Sequence, residues 1–509
     1  MFAFLLVDLK RGEFWAVRDR LGIKPLYYWR APSGLLAFAS EIKQFAGLPS
    51  WRPVMNGQRA YDFLNWGITD HTEETCFAGV HHVPPGGWVC LPLEGKVPVT
   101  LPIKRWYTLE PRPWEGPEEE ATSEFRRLLA DSVKLRLRSD VPVGSCLSGG
   151  LDSSAVACLV HEEFKKAPGR GQSVFSAVAE VARVDESEWI RLVTANLKLE
   201  GHEVRPRAEQ VFEELPRLAW HQDEPFGSTS VLAQGEVFRL AAAKGVKVML
   251  DGQGADELLA GYHGSFVPTR LAELFCAGRW LRMISEWRKF SDGTGLKPGR
   301  LGLQILDLLL PGGCAATARG WMGYASPQPG WLDAQKWGIE LVDPWRAMGG
   351  RARSVNSLSH SQLTASSLQM LLRFEDRSSM AHSVEARVPF LDYRLVERVL
   401  GMPGHFKIAD GWTKRLLRDG LRYVLPDKIR TRRDKLGFAT PEEEWAKGPL
   451  KEEFLGHAAE TVGMMEGILK PGLMQELEQR LVGREPIGSL PWRVVCLGAW
   501  MKRHEVKLN

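Results

Sequence analysis

Disulfide frames and zinc ribbons are what this sequence most plainly lacks. Its seven cysteines (Cys76, Cys90, Cys146, Cys158, Cys276, Cys314 and Cys496) are scattered over 509 residues and form no C-x-x-C pair, so they read as reduced, mostly buried thiols. Long apolar runs are missing too. Leu301–Pro311 (LGLQILDLLLP) is too short to span a bilayer and carries an acid, which makes it a core helix. Neither sign of charge dominates: the formal net charge of +4 is small for this length and by itself argues neither for nor against a nucleic-acid partner. No basic n-region or cleavage pattern opens the chain, so no export signal is expected and the expected location is cytoplasmic. With 44% hydrophobic and 25% charged residues, the composition is that of an ordinary soluble protein. The chain is too long for one core, and roughly two to four domains are expected.

The first hundred residues read as β-rich. Phe2–Val7 and Glu13–Val17 flank a Lys10-Arg11-Gly12 turn, a hairpin pattern, and Leu35–Ala39 is a further strand. An apolar strand at residue 2 with nothing before it makes residues 1–110 read as an incomplete α+β unit. Residues 111–120 (PRPWEGPEEE) form the expected linker. From Ala121 to about Arg138 the pattern is that of an amphipathic helix. Between Ser173 and Asp256, strand-like Val174–Val178 and Val246–Leu250 are separated by helical spacing over Leu232–Lys244. That alternation predicts an α/β domain with a doubly wound parallel sheet, helices on both faces and ligands at the carboxyl ends of the strands. Beyond Gly261 the pattern is mainly helical, and the domain is expected to fill residues 121–509. The Gly- and Trp-rich stretch Gly293–Arg353 has no assigned chemistry, and no internal repeat is present.

The most informative run is Ser148-Gly149-Gly150-Leu151-Asp152-Ser153-Ser154, between the apolar stretch Val141–Leu147 and a helical pattern reaching about Phe164. A strand, a Ser/Gly turn and a helix N-terminus surround one concavity with backbone N–H groups and positive potential, which suits phosphate. Adjacent glycines admit close approach, and Ser148, Ser153 and Ser154 carry hydroxyl donors. Asp152 would repel phosphate unless a divalent cation lay between them, so the turn implies Mg²⁺. The lysine of G-x-x-x-x-G-K-[ST] is absent, which excludes a Walker site.

A second glycine-rich turn, Asp251-Gly252-Gln253-Gly254-Ala255-Asp256-Glu257, follows the strand ending at Leu250. Asp256 is the candidate for a second carboxylate on the same metal; the plain alternative is a loop whose acids cap the next helix. A third cluster runs from Leu371 to Met380 and on through Val384 to Asp392. Arg387 and Asp392 there read as a structural ion network, while Glu375 and Arg377 are candidates for chemistry. Near the C-terminus, Arg432–Phe438 is a basic turn from which Lys435 could reach a leaving pyrophosphate; a surface charge run is the plainer reading.

Taken together, these residues resemble the asparagine synthetase family, whose C-terminal domain is an ATP pyrophosphatase of the S-G-G-x-D-S type. LLRFEDRSSMAHSVEARVPFLD (371–392) and RDKLGF (433–438) carry the resemblance most specifically. Arg18–Tyr28 and Ser40–Lys43 are similar to the closing part of the family's class II glutaminase domain, a β sandwich. The resemblance implies ATP and Mg²⁺ as cofactors and a two-step reaction: a carboxylate, aspartate's side chain in the parent enzyme, attacks the α-phosphate, and ammonia then displaces AMP. It implies that Leu147, Ser148, Gly149, Gly150, Asp152, Ser153 and Ser154 hold ATP and its pyrophosphate. It further implies that Asp152 and Asp256 hold the metal, that Val178 and Gly252 contact the adenosine, and that Lys435 neutralises the leaving group. The implied partners are small molecules (ATP, aspartate or another carboxylate, ammonia free or derived from glutamine), with neither nucleic acid nor membrane, and a homodimer is compatible.

Two positions depart from the family pattern. The family's glutaminase uses an N-terminal cysteine, whereas residue 2 here is Phe and the glutamine-binding segments are absent, so this chain as given is expected not to hydrolyse glutamine. Either its start lies further upstream, the favoured reading, or it takes free ammonia or that of another subunit. The family also reads S-G-E-G-x-D-E where Asp251–Glu257 stands. Gln253 cannot accept the proton that the family's glutamate takes at neutral pH, so that role moves to Asp251 or to Glu375. The default expectation is asparagine formation; the alternatives are an amidotransferase for another carboxylate (a peptide, a sugar acid or an antibiotic precursor) and an inert nucleotide-binding homologue.

Overall fold

A computed structural model describes residues 1–166, 171–294, 297–310, 328–348, 352–434 and 437–508. Lys435, Cys314 and much of the Gly/Trp-rich stretch lie outside the described residues. The expected hairpin is present: β1 (Ala3–Asp8) pairs antiparallel with β2 (Glu13–Arg18). Then come β3 (Tyr27–Arg30), β4 (Leu36–Ala39), β5 (Val80–His82), β6 (Gly87–Pro92) and β7 (Lys104–Arg105). They form a sheet of order β1-β2-β6-β7 and a second of order β4-β3-β5. Alternation along the strands turns Phe14 and Ala16 of β2 and Val89 and Leu91 of β6 inward, where they meet Tyr28 and Phe38 of the other sheet in one apolar layer. At the β1 edge the cover thins, and Phe4, Leu5, Leu6 and Val7 are all exposed.

The next element, α1 (Glu118–Arg136), starts three residues earlier than the sequence pattern placed it. Glu118, Glu119 and Glu120, read as linker, instead form its first turn, where acidic side chains favour the positive end of a helix. The linker before it is pinned to the C-terminal unit, for Arg112 N–H donates to Glu397 O and Trp114 N–H to Gly401 O.

The second unit is built on five parallel strands: β8 (Val143–Cys146), β9 (Ser173–Ala177), β10 (Glu200–Val204), β11 (Val248–Leu250) and β12 (Glu385–Arg387). Their order is β10-β9-β8-β11-β12. β9 and β11, the strands flanking β8, carry apolar residues on both faces, as a covered parallel sheet requires. Val174, Val248 and Leu250 face α1 and α2 (Leu151–Lys165), while Phe175 and Met249 pack with Val237 and Phe238 of α3 (Ser230–Ala243) on the opposite side. Winding runs outward both ways from β8 and β11, so the order reverses between these two neighbours. Ligands of open α/β sheets bind at such a reversal.

Helices fill the remainder. Pro298–Leu309 is helical and buries Leu301 and Ile305, as the short apolar run predicted. Another helix, α4 (Leu368–Met380), lies between the two units. Its Gln369 amide donates to Leu21 O at 2.8 Å, Arg373 is paired with Asp70 at 3.0 Å, Asp376 with Lys24 at 2.9 Å, and Arg377 donates to Ser40 O at 2.6 Å. Among the described residues no helix is long and apolar enough to cross a membrane.

Candidate active site

β8 ends at Cys146, and Leu147 N–H still donates to Phe175 O before the chain turns. Gly149 then adopts φ +76°, and a Cβ there would stand 2.7 Å from the Trp189 side chain; only glycine fits. Ser153 braces the turn from the first turn of α2: its hydroxyl accepts from Ser148 N–H at 3.1 Å and lies 3.0 Å from Ser148 Oγ. The second turn leaves β11, the strand beside β8, and Asp251 N–H donates to Arg387 O on β12. The two turns are pressed together. A Cβ on Gly252 would meet Asp152 Cβ at 3.0 Å and Ser153 N at 3.1 Å.

Between them opens a cavity of about 310 Å³. Asp152 and Asp256 converge around the ammonium of Lys414, at 2.5 and 2.7 Å. Two further cations, Arg418 and Arg433, line the same cavity and both lie over the Trp412 ring. Arg432 ties the first turn down by donating to Gly149 O at 3.2 Å, and it is paired with Glu186 at 2.8 Å. Burial outweighs that pairing and pushes the Glu186 carboxyl up to about 7. Phe175, Val231, Val237 and Phe238 supply an apolar part of the cavity lining.

The acids behind Gln253 form a separate group. Asp251 lines the cavity and accepts from Gly252 N–H; burial pushes its carboxyl up, against the hydrogen bond to Cys146. Neither oxygen of Glu375, on α4, has a hydrogen-bond partner among the described residues. Burial first, then the charge of Asp251, pushes its carboxyl well up.

Of the sequence-predicted residues, Leu147, Ser148, Gly150, Asp152, Ser153, Gly252, Gln253 and Asp256 line the one cavity. Gly149 contributes its carbonyl to Arg432, and Ser154 is buried within α2. Val178 borders a small adjoining pocket that shares Ser148 and Glu186 with the main one. Gly437 and Phe438 bring the basic turn to the rim; Lys435 between them and Asp434 lies outside the described residues. Arg377 does not line the cavity: its guanidinium is spent on Asp223 at 3.0 Å and on Ser40 O. Arg387 and Asp392 are structural, the first donating to Arg136 O and Arg138 O, the second capping the helix Tyr393–Gly401. Sequence reasoning missed Lys414, Arg418, Arg432 and Arg433. The arginine pair stood in the basic turn already noted, but nothing local marks Lys414, which is 262 residues from Asp152.

Residues 124–502 match the sequence profile of the family described as asparagine synthase, and residues 1–103 match that of a glutamine amidotransferase domain. The chain belongs to the asparagine synthase family. It is 27% identical over 510 residues to asparagine synthetase [glutamine-hydrolyzing] 1 of Bacillus subtilis (strain 168), a match spanning 98% of this chain and 77% of that protein. It is likewise 27% identical over 499 residues to amidase chry2 of Gibberella zeae, with 89% and 71% covered. To amidase chyE of Penicillium rubens it is 26% identical over 539 residues, covering 96% and 76%.

Proposed function

We propose that this chain is an ATP-dependent amide-forming ligase that activates a carboxylate as its acyl-adenylate and transfers the acyl group to ammonia, with the aspartate side chain as the first substrate to test. The observation that carries the reading is the contact of two glycine turns at the reversal of the sheet, with Asp152 and Asp256 converging beside a phosphate-type turn. Mg²⁺ commonly takes one or two carboxylates and completes its shell with nucleotide phosphates. The donor set fits that ion, for Asp152 and Asp256 already enclose a cation, and among the described residues no group of three or more His, Cys, Asp or Glu could hold a metal by itself. Bound there, the metal would neutralise phosphate charge.

The chain's own groups supply the rest. Ser148, Gly150 and Ser153 line the cavity where the first turn meets the positive end of α2, and Arg418 and Arg433 add positive charge, so charge growing on the α- and β-phosphate oxygens meets favourable potential already in place. The substrate carboxylate oxygen bonds to the α-phosphorus, the bridge to the β-phosphate breaks, and pyrophosphate leaves. Ammonia then bonds to the acyl carbon, AMP departs with the carbon–oxygen bond electrons, and the nitrogen sheds a proton. Gln253 cannot take that proton; Asp251 lines the same cavity and Glu375 lies in its field, both with raised affinity for protons. The apolar wall at Phe175, Val237 and Phe238 suits a purine base.

The occurrence of amidases among the relatives, together with Gln253 in place of an acid, favours a second reading in which the same chemistry serves a different carboxylate. Both are tested by measuring AMP and pyrophosphate from ATP and Mg²⁺ with ammonia or glutamine and a panel of carboxylic acids. AMP that depends on aspartate supports the first reading, AMP that depends on another acid the second, and no nucleotide turnover with any acid would sink both. Asp152→Asn is expected to lower turnover by about a hundredfold or more, as loss of a charge-stabilising group in the site does, with the fold retained and the melting temperature lowered only modestly, because Asp256 still partners the buried Lys414 ammonium.

A further inference from the structure

Lys414 stands in an unusual position for a lysine. It precedes the helix α5 (Arg415–Gly420) in left-handed backbone, φ 54°, and only 6% of its side chain is exposed. The side chain crosses bare backbone at Gly261, where an added Cβ would come within 2.2 Å of Lys414 Cε and 1.8 Å of Asp256 Oδ1. Its ammonium ends between Asp152 Oδ2 and Asp256 Oδ1. That is the point at which a divalent cation shared by these carboxylates would sit. A Mg²⁺ ion needs its oxygens about 2.0–2.1 Å away, so ion and ammonium cannot both occupy it.

Resting on the reading that the two turns take a metal-bound nucleotide, we infer that Lys414 is the resident counter-ion of the metal site. It holds Asp152 and Asp256 together while the metal is away, excludes the free divalent cation, and yields only to a cation that arrives already bound to nucleotide. Charge decides this. A free dication would be added to a site already holding Lys414 between the carboxylates, with Arg418 and Arg433 on the same wall. A nucleotide brings its own negative charge, which gives the displaced ammonium and both guanidinium groups new partners. Among the described residues no group of three or more His, Cys, Asp or Glu could hold the bare ion, so two carboxylates leave most of its shell to the phosphates. Lys414 is therefore a positioning residue that makes metal and nucleotide bind as one species.

The test uses Mn²⁺ as the probe and reads binding, not turnover. Free Mn²⁺ is followed by its electron paramagnetic resonance signal with the full chain, alone and with a non-hydrolysable ATP analogue. Wild type is expected to bind Mn²⁺ only when the analogue is present, and millimolar Mn²⁺ alone should leave its melting temperature unchanged. Lys414→Met should bind Mn²⁺ without nucleotide roughly tenfold or more tightly than wild type, since removing one buried positive charge from between two carboxylates is worth at least that factor. The double variant Lys414→Met/Asp152→Asn should lose the gain, and Lys414→Arg should resemble wild type. Tight binding of Mn²⁺ by wild type without nucleotide, or a marked rise in its melting temperature on adding Mn²⁺ alone, overturns the inference even if Lys414→Met does not fold. So does a folded Lys414→Met that binds no tighter than wild type. Failure of wild type to take Mn²⁺ even with the analogue would overturn the ligase reading itself, a separate outcome.

Discussion

At the scale of single residues, His82 shows how one buried ring sets a pH limit. Its Nδ1 lies 3.1 Å from Arg18 Nη1 and its Nε2 2.5 Å from Thr72 O. A neutral ring serves both, accepting from the guanidinium at Nδ1 and donating to the carbonyl from Nε2. A second proton would face Arg18, and burial, reinforced by that cation, brings the His82 value down to about 4. The unfolded chain takes up this proton near pH 6.5 and the folded chain only near pH 4. Stability from this group is therefore complete above about pH 6.5 and is lost as the pH falls to 4, a change of up to about 3 kcal/mol. Urea midpoints of wild type should drop across that window, and those of His82→Gln should drop measurably less. Asp251 and Glu375 permit a second residue-scale prediction, because in the proposed reaction proton removal follows adenylation. Asp251→Asn and Glu375→Gln are expected to slow amide formation by about a hundredfold to ten-thousandfold while sparing the exchange of labelled pyrophosphate into ATP. Equal loss of both activities would remove these acids from the second step.

Among the elements, α4 carries a row of polar contacts to the N-terminal unit. Arg377 and Asp223 are both buried, and Asp223 also accepts from Ile42 N–H, Lys43 N–H and the Lys43 ammonium. Arg377→Ala would leave that carboxylate with its remaining partners, so a loss of about 3 kcal/mol is expected, at the lower end for breaking a buried pair. The measurement is the urea midpoint, with Arg377→Lys expected to recover part of the loss. The same helix also bounds what sequence could reveal. Its run of charges between apolar residues signalled burial, but Arg377, read as a candidate for chemistry beside Glu375, instead pairs with Asp223 and reaches the other unit at Ser40. Strands were legible where both faces are covered, as at Val174–Val178 and Val246–Leu250. Missed were β10 and β12, the outermost strands of the parallel sheet, whose residues Glu200-Gly201-His202-Glu203-Val204 and Glu385-Ala386-Arg387 carry few apolar side chains because an edge is not covered like the centre.

For the molecule as a whole, the two glycine turns were legible as turns because each joins a strand to a helix within a few residues. That they touch follows from the order of strands, and Lys414 could not be read because it approaches from a third segment through tertiary packing alone. The expected linker is bonded to the C-terminal unit through Arg112 and Trp114. α4 completes the junction by reaching Leu21, Asp70, Lys24 and Ser40 from successive turns. Since a helix advances about 100° per residue, one amino acid inserted after Gln369 would rotate Arg373, Asp376 and Arg377 away from all these partners at once, whatever side chains they carried. The angular phase of this helix is thus as much a determinant of the assembly as its composition, and the two halves are keyed to each other like a shaft in its collar.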